Sequence, residues 1–218
     1  MAAWIVVTLV HLSGFVLASL AFGQKIEEFS LFFGKPILSV PWRGCTLCIR
    51  SIPMGGSVTI VGTGYDDDEP HASLPVHGFR ALPTSKRLLT FLAGPIVCFL
   101  LAIACGGVLL AQQRVLTGFI QVIHGSIAPI AYGQHAVARF LAHVRNDPYY
   151  VLLGFLAAKN CSGNLLPLPS LNGGQAIMTL FPNLTSRQVY RMQLWGLIAL
   201  ALLWFGWGCA IFAYVRGL

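Results

Sequence analysis

The sequence predicts an α-helical integral membrane protein with four spans and, after the first of them, a small β-hairpin region. Three observations predict it. Charged residues make up only 10% of the 218 residues, and the mean hydropathy is +0.73, a balance foreign to soluble domains. Several runs lack formal charge over about 20 residues, enough at ~1.5 Å per residue to cross a hydrocarbon core of ~30 Å. Between the first two runs, β-branched residues alternate with polar ones and Gly and Pro recur, the pattern of short strands joined by turns. The length fits one domain over residues 1–218. The formal charge of +7 is scattered between apolar spans and forms no basic patch interleaved with aromatics. It therefore fits lipid headgroups and the positive-inside rule, and argues against nucleic acid as a partner.

The first span, 2–22, carries no Asp, Glu, Lys or Arg and holds His11 near its middle. A polar side chain at that depth is expensive, so its default reading is functional. The run lacks a basic leader and is too long for the apolar part of a secretory signal, so it reads as a retained span. Residues 23–87 form the hairpin region, with strands at Thr46–Ile52 and Ser57–Val61 around a turn at Pro53-Met54-Gly55-Gly56. Asp66-Asp67-Asp68-Glu69 before Pro70 reads as a solvated loop, because four adjacent carboxylates lack the spaced ligands of a cation site.

The second span, 88–112, carries Gly94-Pro95 near its start. The proline breaks the hydrogen-bond ladder, which reads as a packing kink. Residues 115–142 read as an interfacial or re-entrant helix pair, with His124 and His135 solvated. The third span, 148–168, loses helical character at Gly163-Asn164-Leu165-Leu166-Pro167-Leu168-Pro169, since a residue before proline is pushed toward extended geometry. Irregular backbone at membrane depth must line a cavity or be buried in protein. Gly173-Gly174 permits close approach before a short helix restarts. Thr185 or Ser186 caps the final helix, whose apolar run is 192–215. With an extracytoplasmic N-terminus, nine Lys or Arg fall on the cytoplasmic side and four on the other, the sense expected of the positive-inside rule. The fourteenth, Lys159, lies inside the third span, snorkelling or in a wet groove.

Four stretches carry a resemblance. They are His11-Leu12-Ser13-Gly14-Phe15; the run from Lys25 through Phe33-Gly34-Lys35-Pro36 to Arg50-Ser51-Ile52-Pro53-Met54-Gly55-Gly56-Ser57-Val58; Leu92-Ala93-Gly94-Pro95-Ile96; and Asn164-Leu165-Leu166-Pro167-Leu168-Pro169-Ser170-Leu171-Asn172-Gly173-Gly174. In order and spacing they resemble the site-2 protease family of intramembrane zinc metalloproteases. That family carries H-E-x-G-H, a membrane-associated hairpin, A-G-P and N-L-L-P-x-P-x-L-D-G-G. The resemblance covers most of the chain and leaves no room for a soluble PDZ insert. It implies a four-helix membrane core, with zinc held by two His of the first helix and one Asp of the third, and a Glu as general base. Two His at i and i+4 share a helical face, and water takes the open fourth position, where the metal makes hydroxide available near neutrality.

The sequence departs from that pattern at all but one position. His11 is the only matching metal ligand. Leu12 stands at the general-base position, Phe15 at the second His and Asn172 at the Asp. Loss of a positioned base costs about 10²- to 10⁴-fold, and one imidazole with one amide falls short of three ligands. The changes agree with each other. Without the dication, buried carboxylates cost several kcal/mol each, and both carboxylates are gone as well. A neutral His11 hydrogen-bonded to Asn172 then fills the site without metal. Lys159, near the position of a family Asn, adds a cation that would disfavour a dication.

These residues lead us to expect a degenerate, pseudoprotease member without a resident cofactor, whose partners are the lipid bilayer and transmembrane segments of client proteins. Clients would be received by the unwound segment with Asn164, Pro167, Pro169 and Gly173, and by the hairpin with Pro53, Gly55 and Gly56, through strand addition. Two alternatives stand beside it. One is an active zinc-dependent endopeptidase with unorthodox ligands, drawing on Cys161 or on Cys45-Thr46-Leu47-Cys48 with His71 and His77. The other is a small transporter or channel subunit with a path lined by His11, Lys159 and Asn172. The six cysteines do not form a disulfide framework, since thiols in apolar spans pack as small hydrophobes.

Overall fold

The computed structural model describes residues 2–62, 79–181 and 184–217. The acidic run 66–69 and both His71 and His77 lie outside the described residues. Helix α1 spans Ala2–Ala21 and ends where Gly23 takes a φ of +70°. Gln24 donates to the Ser19 carbonyl at 2.8 Å and Gly23 to Leu20 at 3.1 Å, the paired bonds of a glycine-terminated helix. The chain then enters β1, Ile26–Trp42, and returns through β2, Cys45–Ile60.

The two strands form one antiparallel ribbon, in which Trp42 faces Cys45 and Ile26 faces Ile60. Its turn is Arg43-Gly44, both at positive φ, +49° and +81°, as a two-residue turn matched to the ribbon's twist requires. The expected turn at Pro53–Gly56 is also present: β2 stays extended through those residues, but its direction along β1 reverses there, so that Leu31 faces Ile49 before them and Gly56 at their end. Gly55, at φ +61° against the Phe33 ring, lies where β2 reverses, a backbone conformation that glycine supplies cheaply. The ribbon also doubles back, so that Ser30 is paired with both Ser57 and Cys48. Arg50 fastens the fold-back. It donates to Ser30 Oγ at 2.6 Å, to the Gly34 carbonyl at 2.9 Å and to Glu28 Oε1 at 2.7 Å. The hydrogen bond to Glu28 raises the guanidinium pKa above its ordinary value.

Helix α2 spans Thr84–Gly106 and keeps Pro95 inside it. The second apolar run therefore does not reach residue 112 as a single helix: Gly107, at φ +80°, breaks it, and α3, Val108–Ile127, starts at once. A π-helical turn, Pro129–Gly133, leads into α4, Gln134–Asn146. A helix pair thus fills the region expected to hold one, with its first member beginning before residue 115. Helix α5, Tyr149–Asn164, is followed by the non-helical segment 165–171 and by the short α6, Asn172–Met178. The final helix, α7, is Ser186–Arg216. Thr185 caps it: its Oγ1 accepts from the Gln188 amide at 3.3 Å, while Gln188 Oε1 accepts from the Thr185 amide at 2.9 Å, a reciprocal capping box.

Among the described residues, three helices, α1, α2 and α7, are long and apolar enough to cross a membrane. With its 16 residues, α5 is shorter than the expected span 148–168. The helices pack through small residues. Val7, Cys98, Ala102, Ala111, Ala157, Ala158 and Cys161 form the buried core shared by α1, α2, α3 and α5. Packing of this kind lets backbones approach closely where lipid offers no hydrophobic drive between helices. Gly14 is the clearest case, since a Cβ there would lie 2.5 Å from the Ala93 carbonyl oxygen.

Candidate functional site

His11 lies at the crossing of α1 and α2, 8% exposed. The local sequence dictates the approach: a Cβ on Gly94 would stand 2.7 Å from His11 Cε1, so only glycine lets α2 pass there. From the other side, the segment after α5 delivers Asn172 as the first residue of α6. Asn172 Nδ2 donates to His11 Nε2 at 3.1 Å. The glycines after it permit this docking, because Gly173 lies on the carbonyls of Leu165 and Leu166 and Gly174 on that of Leu168. Side chains at those two positions would meet backbone, which cannot give way.

The opposite edge of the imidazole faces sulfur. His11 Nδ1 is 3.8 Å from Cys98 Sγ, and the Cys98 thiol points to the Val7 carbonyl at 3.9 Å. Asn160 Nδ2 donates to Cys98 Sγ at 3.4 Å, and Asn164 Nδ2 donates to Asn160 Oδ1 at 3.2 Å. A continuous polar string, Asn164–Asn160–Cys98–His11–Asn172, thus joins α1, α2, α5 and α6. Every contact in it is a neutral hydrogen bond, the condition under which polar groups are buried at modest cost.

Phe15, one turn after His11, meets the imidazole edge-on with ring centroids 5.7 Å apart, and Phe91 continues the aromatic contact at 6.5 Å. Leu12 is 2% exposed. It faces the hairpin: a Cβ on Gly56 would stand 2.7 Å from Leu12 Cδ1 and 2.6 Å from the Ser30 carbonyl oxygen. Gly56 therefore lets the ribbon rest on α1 beside the imidazole. Pro53 and Pro167 are exposed. Pro169 packs beside Gly196 of α7, and its carbonyl accepts from Gln175 Nε2.

Two residues considered for this site stand elsewhere, and Lys159 lies in a groove, its other expected place. Lys159 turns away from His11 toward α3, where its Nζ donates to the Arg114 carbonyl at 3.1 Å and to Thr117 Oγ1 at 3.2 Å. The helical period explains the difference: Asn160, the next residue, is the one on the His11 face. The thiol beside His11 belongs to Cys98, whereas Cys161 packs in the apolar core. Cys45 and Cys48 are free thiols on β2. Cys48 contacts Ser39 Oγ at 3.3 Å and Cys45 the Thr46 carbonyl at 3.7 Å, so the pair does not converge. Sequence reasoning missed Cys98 and Asn160. Both had a signal in spacing, since Cys98 stands one turn after Gly94 and Asn160 one turn before Asn164, each on the face of a motif residue.

The donor set around His11 decides how a metal would fit. A catalytic zinc takes three protein ligands and keeps a fourth position for water. Among the described residues, the groups within reach are one imidazole, one thiol and amides, with no carboxylate and no second imidazole. Among the described residues, no group of three His, Cys, Asp or Glu could hold a metal ion. The described residues around His11 do not fit a catalytic zinc.

Apolar helices long enough for a bilayer, a hairpin laid on the first of them, and a helix-breaking segment docked on its polar residue are the features of an integral membrane protein. The chain belongs to peptidase family M50, the site-2 protease family, which matches residues 1–205. It is 33% identical to metalloprotease MmpA of Caulobacter vibrioides over 153 residues, 58% of this chain and 37% of that protein. It is 35% identical over 98 residues to a protein of Clostridium acetobutylicum named "Putative zinc metalloprotease", covering 44% of this chain and 27% of the relative. A protein of the same name from Thermotoga maritima is also 35% identical over 98 residues, 43% of this chain and 19% of the relative. The matches thus span well under half the length of these relatives.

Proposed function

We propose that the chain is a site-2-protease-fold protein that does not hydrolyse peptide bonds by a zinc-bound water and acts by binding transmembrane segments of other proteins. The observation that carries this reading is the direct hydrogen bond of 3.1 Å between Asn172 Nδ2 and His11 Nε2. It satisfies the nitrogen with which His11 would ligate a metal. Leu12 offers no carboxylate to take a proton and Phe15 no lone pair. The catalytic steps that need hydroxide therefore have neither a generator nor a base.

What the scaffold retains is a receiving surface. The hairpin beside Leu12 and the segment 165–171 flank the crossing of α1 and α2. An extended or unwinding client segment would pair with the ribbon's backbone and lie against that segment, as in strand addition. In this reading α1, α2, α5 with α6, and α7 are four spans and the N-terminus is extracytoplasmic, the orientation that puts most of the basic residues inside. Photocrosslinkers at Ser57 and Ser170 in the native membrane test it: the expected result is capture of membrane-protein segments, and crosslinking to lipid alone refutes client binding. Metal analysis of the detergent-purified protein tests the other half. Zinc below about 0.1 per chain is expected, and about one zinc per chain that disappears in His11→Ala would overturn the reading.

A further inference from the structure

A second polar region lies apart from His11, in a cavity of about 490 Å³ between α3, α4 and α5. Arg114, Arg139 and Lys159 converge on it from three different helices, and among the described residues no Asp or Glu lines it. The described residues contain only three carboxylates, Glu27, Glu28 and Asp147. Glu28 is paired with Arg50, and Asp147 with His143 Nδ1 at 2.7 Å. His143 also lines the cavity, but its carboxylate partner answers it alone. None of the three cations forms an ion pair among the described residues.

What holds the cations are aromatic faces and neutral acceptors. Lys159 Nζ lies 5.2 Å and Arg114 Cζ 5.7 Å from the centre of the Phe155 ring, and Arg139 Cζ lies 5.8 Å from that of Tyr132. Lys159 is fixed further by the Arg114 carbonyl and Thr117 Oγ1. Three like charges gathered in a half-buried cavity repel each other, and rings with single carbonyls offset that only in part. An anion with several acceptor oxygens would satisfy all three. A phosphate offers them, and guanidinium groups bind it through paired hydrogen bonds.

We infer that this cavity is a binding site for a phosphodiester anion, of the kind carried by an acidic phospholipid headgroup. The cavity's rim favours the lipid as source over free phosphate. Ile120 lines the cavity, and it and Leu116, one turn before it on α3, are 51% and 64% exposed, an apolar strip leading from the cavity on which an acyl chain would lie. Basic pockets between membrane helices are a known mode of headgroup capture. The inference does not depend on the fate of the zinc site, since the cavity shares no residue with it.

Native mass spectrometry of the purified protein, titrated with phosphatidylglycerol or phosphatidylcholine, tests it. Retention of phosphatidylglycerol well above phosphatidylcholine is expected. Arg139→Gln should cut that retention about tenfold, the size of one charge-assisted hydrogen bond, and Arg139 is exposed enough for the variant to fold. Arg187→Gln, which removes the same charge at the start of α7, should leave it unchanged. A third arm adds inorganic phosphate: displacement of the lipid at millimolar concentration assigns the site to free phosphate as well, and no displacement assigns it to the lipid. Equal retention of the two lipids, or equal loss in Arg139→Gln and Arg187→Gln, would overturn the inference.

Discussion

The triple substitution Leu12→Glu, Phe15→His and Asn172→Asp reinstates the base and ligand types that the family resemblance implies, and the structure sets what it should do. Zinc ligands at ~2.0–2.2 Å in tetrahedral geometry stand ~3.3–3.5 Å apart. His11 Nε2 and Asn172 Nδ2 are already 3.1 Å apart, so an Asp carboxylate at 172 needs to move only a few tenths of an ångström to share a metal with His11. Phe15 is one turn further on the same face, with its ring 5.7 Å from the imidazole, where a His would provide the third donor. Zinc bound at micromolar affinity corresponds to about 8 kcal/mol, more than enough to offset one carboxylate buried at a cost of several kcal/mol. Elemental analysis after gel filtration should therefore rise from below about 0.1 to about one zinc per chain, and zinc should raise the melting temperature of the triple variant only. Asn172→Asp by itself should melt lower than the parent, because its carboxylate gains neither a metal nor a cation. A folded, monodisperse triple variant that takes up no zinc would refute the reasoning, since it would mean that α1 and α6 do not hold these residues face to face.

Other consequences follow from the packing. Gly94→Ala places a methyl 2.7 Å from His11 Cε1 and should cost about 1–3 kcal/mol by overpacking, read as a lower melting temperature; an unchanged value would refute the α1–α2 crossing described. Arg50→Lys keeps the charge but not the three-way donation to Ser30, Gly34 and Glu28, so limited proteolysis within 26–60 should accelerate while the helices stay protected. Thr185→Ala removes half of the capping box and should cost about 1 kcal/mol, visible as faster hydrogen exchange in the first turn of α7.

Hydropathy made α1 and α7 legible, because a charge-free run of sufficient length has one stable solution in lipid. It misjudged the end of α2, where Gly107 turns the chain although the apolar run continues. The reversal at Pro53-Met54-Gly55-Gly56 was legible in its turn composition, whereas the tight turn at Arg43-Gly44, with its two positive φ angles, was not, because a residue such as Arg does not advertise that conformation. The contact of His11 with Asn172 was legible through the family motifs, which align positions 161 residues apart that no local pattern connects. For Lys159 the wet-groove reading was legible but a place beside His11 was not excluded, since a shift of one residue on a helix turns a side chain by ~100°. That turn sends Lys159 to the cationic cavity and brings Asn160 to Cys98.

The His11 environment also bears on why the departures occur together. A lone Asn172→Asp change in this setting leaves a carboxylate against a neutral imidazole, and a lone Phe15→His change leaves a second imidazole among Phe91 and its neighbours without a partner. Each intermediate strands a buried polar group at a cost of about 1–3 kcal/mol or more. The parent arrangement strands none at His11: amide meets Nε2, thiol meets Nδ1, and Leu12 meets the glycine of the hairpin. The same physics predicts that single reversions melt below both the parent and the zinc-loaded triple variant. Melting curves for all three single variants with and without zinc make that comparison directly, and a single reversion as stable as the parent would remove the energetic reason for the changes to be coupled.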